Sequence, residues 1–137
     1  MIELDSTNLT GIWQGYYLYQ DSGLPVPFVA TLLESGRFVT GTTHEIASRG
    51  RAVGQTLYAL VDGTRSGANL CFVKQYSHSG ENSGYEMPVH YEGLLSADGS
   101  EIEGQWTIHA GLYGRFAMIR PLRTSSIRRI GVETPAR

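Results

Sequence analysis

Two short stretches bracket this chain: Leu9-Thr10-Gly11-Ile12-Trp13 near its start and Phe116-Ala117-Met118-Ile119-Arg120 near its end. A Gly-x-Trp opening a first strand and an Arg ending a last strand suggest a sheet that closes on itself. The planar guanidinium lies against the indole face and keeps donors for backbone carbonyls. The pair predicts a sheet rolled into a barrel, with Trp13 and Arg120 as the structural residues of its closure.

The chain between the brackets fits that frame. Gly, Asp, Ser and Pro recur roughly every ten residues, and the runs between them carry strand chemistry. Gly (17 residues) and Tyr (8) are abundant, which suits short strands and tight turns. Eight strands are expected, over about 10–19, 27–34, 37–46, 56–62, 68–76, 88–96, 101–109 and 114–121. Asp62-Gly63 reads as the end of the fourth, and Gly111 and Gly114 as the flanks of the last turn. Longer polar loops cover 47–54 and 77–84. No segment repeats with helical periodicity long enough to require a long helix; only 47–55 or the tail has room for a short one. The expected fold is all-β, an eight-stranded antiparallel up-and-down (meander) β-barrel, whose closure removes exposed edges. With 137 residues, one domain is expected, a barrel over 1–121. A polar, basic C-terminal tail follows over 122–137, in which Ile127 and Ile130 offer an arm for a partner subunit.

Several segments resemble a known group. Leu9-Thr10-Gly11-Ile12-Trp13 resembles the opening of avidin-like barrels, and Gly-x-Trp with a terminal-strand Arg is similar to the calycin pattern of lipocalins, fatty-acid-binding proteins and avidins. Gly36 to Thr42 resembles the second avidin hairpin. Gly99 to Trp106 resembles the penultimate hairpin, which in that family carries a ligand-facing Trp. The resemblance implies the calycin barrel but not biotin. Gly15, Tyr17 and Tyr19 stand where an avidin site has small polar residues, and Thr43 stands where it has a ligand-facing Tyr.

Alternation then sorts the faces. Trp13 inward takes Gly11, Gly15, Tyr17 and Tyr19 with it, and Arg120 takes Phe116 and Met118. Trp106 brings Ile102, Gly104 and Ile108 inward; Val89, Tyr91, Gly93 and Leu95 follow on the sixth strand, and Gly41, Thr43 and Glu45 on the third. The fifth strand is ambiguous. Leu70, Phe72, Lys74 and Tyr76 form one face and Cys71, Val73 and Gln75 the other; the larger side chains favour the first as the inner one. The candidate ligand-binding residues are therefore Tyr17, Tyr19, Glu45, Lys74, Tyr76, Tyr91 and Trp106. Inward Lys74 and Glu45 would make an ion pair or an acid–base couple, since a charge inside a barrel is costly alone.

Net charge is −2, so no basic field invites nucleic acid. No apolar run is long enough for a membrane span, and nothing at the N-terminus reads as a secretory signal, so a cytoplasmic location is expected. His44, His78, His90 and His109 have no metal-ligand spacing, and no phosphate loop or nucleophile motif is present; no metal and no cofactor are expected. The lone Cys71, in the apolar run Leu70-Cys71-Phe72-Val73, reads as a buried inert thiol. These readings converge on a calycin-like barrel that takes a small apolar or aromatic ligand inside, with the 77–86 loop as its lid. Two alternatives stand beside it. One is a cofactor-independent isomerase or cyclase in which Lys74, Glu45 or a Tyr moves a proton. The other is a filled barrel serving as a protein-interaction module through outer-face Ile12, Tyr16 and Leu18. A homodimer is compatible with all three.

Overall fold

A computed structural model describes residues 7–21, 23–77, 85–109 and 111–122. Eight strands follow one another: β1 (Gly11–Tyr19), β2 (Val26–Ser35), β3 (Phe38–Ile46), β4 (Thr56–Ser66), β5 (Asn69–Ser77), β6 (Val89–Leu95), β7 (Glu101–Ile108) and β8 (Leu112–Ile119). Each pairs antiparallel with its sequence neighbour, and β1 pairs with β8 from Gln14↔Ile119 to Tyr19↔Gly114, so the sheet is a closed barrel. The up-and-down order puts the start of β1, the 96–100 turn and Arg120 at one end. The 20–25, 47–55, 85–88 and 109–111 connections lie at the other.

The alternation expected of a half-buried strand holds around the barrel, and on β1, β3, β5, β6, β7 and β8 the inner face is the one anticipated. On β5 the larger residues do point inward: Leu70, Phe72, Lys74 and Tyr76 are buried. That parity turns Cys71 outward, and its thiol is exposed rather than buried. The apolar run misleads because Leu70 and Phe72 face the lumen while Cys71 between them faces solvent.

The N-terminal end is plugged. Trp13 is fully buried, its indole Nε1–H donates to the Leu9 carbonyl at 2.9 Å, and the Arg120 guanidinium lies 4.2 Å from its ring centroid. Arg120 Nε–H donates in turn to the Gly99 carbonyl at 2.9 Å. Beneath them Glu34 accepts from the Leu9 amide at 2.8 Å and from Arg65 Nη1 at 2.9 Å, and Arg65 also donates to the Thr7 carbonyl. The Arg120 guanidinium thus lies against the Trp13 indole beside the β1–β8 seam.

Two glycines read as turns are strand residues. β4 runs on to Ser66, and Gly63 within it sits where a Cβ would strike the Cys71 carbonyl and the Phe72 Cβ. β8 begins at Leu112, two residues before Gly114, where a Cβ would sit 2.6 Å from the Trp106 indole nitrogen. The missing side chains let a neighbouring strand's backbone come close at both positions and give the Trp106 ring room at Gly114; neither is a turn residue. Residues 47–55 form turns and no helix. His44, His90 and His109 are exposed, while His78, residues 123–137 of the tail and 78–84 of the supposed lid lie outside the described residues.

Candidate functional site

The seven candidate residues come from five strands, and all belong to the inner face. Glu45 on β3 and Lys74 on β5 meet across β4, with Lys74 Nζ donating to Glu45 Oε1 at 2.8 Å. Both side chains are essentially sealed from water, at 1% and 0% exposure for Lys74 and Glu45 respectively. The carboxylate is further held by Tyr76 Oη–H on Oε1 at 2.9 Å and Tyr17 Oη–H on Oε2 at 2.5 Å. Lys74 also reaches Tyr91 Oη at 3.5 Å, and its ammonium lies 4.8 Å from the ring centroids of both Phe28 and Tyr76 and 5.1 Å from that of Tyr17. An ion pair out of water is tolerable only when its remaining donors and acceptors are met, and here hydroxyls and ring faces meet them.

These contacts fix the protonation states. Burial lowers the affinity of Lys74 for its proton, but Tyr76 and Glu45 more than reverse that and the pKa is raised. Burial, then the charges of Tyr76 and Glu45, pushes the Tyr17 hydroxyl far above its ordinary value. Burial likewise raises Tyr76, against the pull of Lys74, and raises Tyr91 well above its usual value. At neutral pH Lys74 is therefore an ammonium, and Tyr17, Tyr76 and Tyr91 are neutral phenols.

Toward the 47–55 end the lumen opens into a cavity of about 200 Å³. Five of the seven candidates line it: Tyr17, Tyr19, Tyr76, Tyr91 and Trp106. Glu45 and Lys74 do not; they lie behind the tyrosines. Trp106 stands edge-on to Tyr19 (5.3 Å between centroids) and to Tyr17 (6.2 Å), and its Nε1–H is fixed by the Leu18 carbonyl at 3.0 Å. Deeper in the lumen Tyr91 stacks on Phe72 at 4.7 Å and meets Phe116 edge-on at 4.9 Å. The barrel is thus packed at one end and hollow at the other.

Sequence reasoning missed the rim. Arg49, Tyr85, Glu86 and Met87 also line the cavity. Tyr85 is buried against Tyr76, 5.0 Å between centroids, and its hydroxyl accepts from the Ser48 amide at 3.1 Å. The Arg49 guanidinium lies over Tyr19 at 4.9 Å and over Tyr85 at 5.6 Å. These residues sit outside the strands, where alternation gives no signal. The fold of the 47–55 loop over the lumen is what brings Arg49 in.

No protein-family model matches this chain, and no curated protein matches it. Solved structures do. The chain is similar to a redesigned β-barrel at TM-score 0.67 and 15% identity, over 85% of this chain and 94% of that one. It is similar to the redesigned barrel mFAP1, solved bound to DFHBI, at TM-score 0.65 and 14% identity, over 84% of this chain and 97% of that one. A de novo designed fluorescence-activating β-barrel superposes at TM-score 0.56 and 14% identity, over 87% of this chain and all of that one (100%). At such identity the likeness is one of fold: this chain is an eight-stranded antiparallel meander barrel built like the designed fluorescence-activating barrels.

Proposed function

We propose that this protein is a calycin-like binding module for a small apolar or aromatic molecule. The observation that carries the reading is the one-ended cavity, walled by Tyr17, Tyr19, Tyr76, Tyr91 and Trp106 above a sealed ion pair. Apolar walls with a few placed polar groups are the usual make-up of a small-molecule site. Two similar barrels, mFAP1 and mFAP0, are bound to the aromatic dye DFHBI, which supports an aromatic ligand for a lumen of this build. The proton-transfer alternative draws less support, because Glu45 and Lys74 lie behind the cavity wall and each is committed to the other. Native mass spectrometry of the protein purified from its own cells tests the reading. A mass excess that vanishes on denaturation is expected. A bare mass, joined by failure to bind naphthalene-based probes of any charge, overturns it.

The partner we propose at the outer surface is a second copy. The outward residues of β1–β4 carry one formal charge, Asp62, whereas those of β5–β8 include Glu92, Glu101, Glu103 and Arg115. Ile12, Thr31, Thr42 and Leu60 form one row across the first wall, with Ile12 65% and Leu60 60% exposed. Tyr16 adds to the wall at 44%, while Leu18 is only half-exposed. A wall with a single formal charge meets its own copy with little like-charge repulsion. Four strands at about 4.8 Å spacing and about 30 Å length offer on the order of 600 Å² before side-chain relief, near the ~800 Å² per partner of a standard interface. Sedimentation velocity is expected to give a dimer that Leu60→Glu dissociates; a monomeric wild type at high concentration overturns this reading.

A further inference from the structure

Five strand side chains of the cavity wall can donate a hydrogen bond: Tyr17, Tyr19, Tyr76, Tyr91 and Trp106. Three are committed elsewhere. Tyr17 and Tyr76 give their protons to Glu45, and Trp106 gives its indole N–H to the Leu18 carbonyl. Tyr19 is half-buried at the mouth, beneath the Arg49 guanidinium. Tyr91 differs from all of these. It is 3% exposed, and its oxygen accepts from Lys74 Nζ at 3.5 Å. Among the described residues no acceptor takes its O–H. A buried donor without an acceptor is costly and uncommon, and it calls for an explanation.

The Lys74 ammonium sits on the closed side of that hydroxyl, in the ion pair that the cavity does not reach. A phenolic proton turns away from a neighbouring cation, which directs this one toward the cavity that Tyr91 lines. The ring that carries it is fixed, stacked on Phe72 at 4.7 Å and edge-on to Phe116 at 4.9 Å, so little freedom is lost when a ligand meets it. Burial, then the charge of Glu45, holds the proton well above the ordinary phenol value, and at neutral pH the group stays a donor. From this arrangement we infer that the ligand is a one- or two-ring aromatic molecule whose buried end carries a hydrogen-bond acceptor, the chemistry of an aryl ketone, aldehyde or amide, met by the Tyr91 hydroxyl. The inference rests on the binding-module reading and names the ligand class of that same cavity. A dry cavity of about 150 Å³ holds a benzene ring, so one of about 200 Å³ suits one or two fused rings.

Two probes of one shape isolate the hydroxyl: 2-acetylnaphthalene and 2-isopropenylnaphthalene, in which a methylene replaces the carbonyl oxygen. Calorimetric titration of the wild type, Tyr91→Phe and Tyr19→Phe gives the ketone-to-alkene affinity ratio of each. Tyr91→Phe keeps the ring and is expected to lower the ratio about tenfold, the loss of one buried hydrogen bond. Tyr19→Phe should leave the ratio unchanged. An unchanged ratio in Tyr91→Phe overturns the inference while the cavity reading stands. A drop of the same size in Tyr19→Phe also overturns it, by placing the acceptor at the mouth. If Tyr91→Phe does not fold, the infrared carbonyl stretch of the ketone bound to the other two proteins decides. A stretch below its alkane-solvent value in the wild type, kept in Tyr19→Phe, is expected. A stretch at the alkane value, or one that returns there in Tyr19→Phe, overturns the inference. No binding of either probe to the wild type overturns the cavity reading and this inference together.

Discussion

The ion pair inside the barrel makes a prediction whose sign, and not only its size, is set by geometry. Glu45 accepts from Lys74, Tyr17 and Tyr76, and Lys74 has no other anion within the described ion pairs. Glu45→Gln leaves an ammonium at 1% exposure with no counter-charge, which costs about 3–5 kcal/mol. Lys74→Met leaves a carboxylate that still holds two phenolic donors, so its cost is lower, about 2–3 kcal/mol. The double variant removes both charges. The side-chain amide introduced in place of the Glu45 carboxylate retains an acceptor for one tyrosine, and Met fills the lysine stem, so the double variant should fall within about 1–2 kcal/mol of wild type. Lys74→Met therefore destabilises the wild type and stabilises the Glu45→Gln background. Urea unfolding followed by Trp fluorescence at neutral pH, with all four proteins compared, reads this directly. If Lys74→Met destabilises both backgrounds to the same extent, the two residues are not coupled and the account of the lumen is wrong.

Three further outcomes follow from the same contacts. Trp13→Ala empties the plugged end and should lower stability by about 3–5 kcal/mol; an unchanged melting temperature refutes the closure role of the Trp13–Arg120 stack. Lys74, Tyr17, Tyr76 and Tyr91 all hold their protons more tightly in the folded chain than their ordinary values allow, so the folded state is the more protonated one at alkaline pH. Their stabilisation is complete below the unfolded tyrosine value of 10.0 and is lost above it, each group removing up to about 1.4 kcal/mol per pH unit; denaturant midpoints that stay flat to about pH 11 contradict this. Cys71, facing outward, should react with a thiol reagent in native buffer as completely as in denaturant; protection in the native state would return it to the interior.

The strands and their faces were readable because a closed meander repeats one rule. Once Trp13, Trp106 and Arg120 are set inward, period-two alternation orients β1, β7 and β8, and antiparallel pairing passes the orientation to their neighbours. Where the reading failed, it treated a residue type as a signal without asking what lay across from it. Gly63 and Gly114 looked like turns because Gly usually marks turns, yet Gly63 lets the β5 backbone at Cys71 and Phe72 come close, and Gly114 makes room for the Trp106 ring. Cys71 looked buried because its neighbours are apolar, but in a strand the neighbours face the other way. The fifth strand is the instructive case. Its inward face contains a lysine, which composition alone places outside. What holds Lys74 inside is Glu45, two strands away and 29 residues earlier in the chain, a non-local partner that no window of sequence contains.

That same pair explains why the open or filled state of the barrel was not readable from composition. The lumen contains enough aromatic volume to be packed solid or left hollow, and the deciding factor is where that volume stands along the axis. Lys74 crosses the lumen to contacts on β1, β2, β3 and β6 as well as on its own strand, through Tyr17, Phe28, Glu45, Tyr91 and Tyr76. Those side chains are drawn toward the charge, so that Tyr17, Tyr76 and Tyr91 wall the cavity on the side of the ion pair. Trp13, Leu9, Ile102 and Met118 fill the other end. The rings left above the pair, Tyr19 and Trp106, meet edge-on and line a space without filling it, and the loop carrying Arg49 and the segment carrying Tyr85 form its rim. The hollow is thus a consequence of a satisfied buried charge. The Glu45→Gln/Lys74→Met protein, by releasing those tyrosines, should change aromatic-probe affinity even though neither residue lines the cavity.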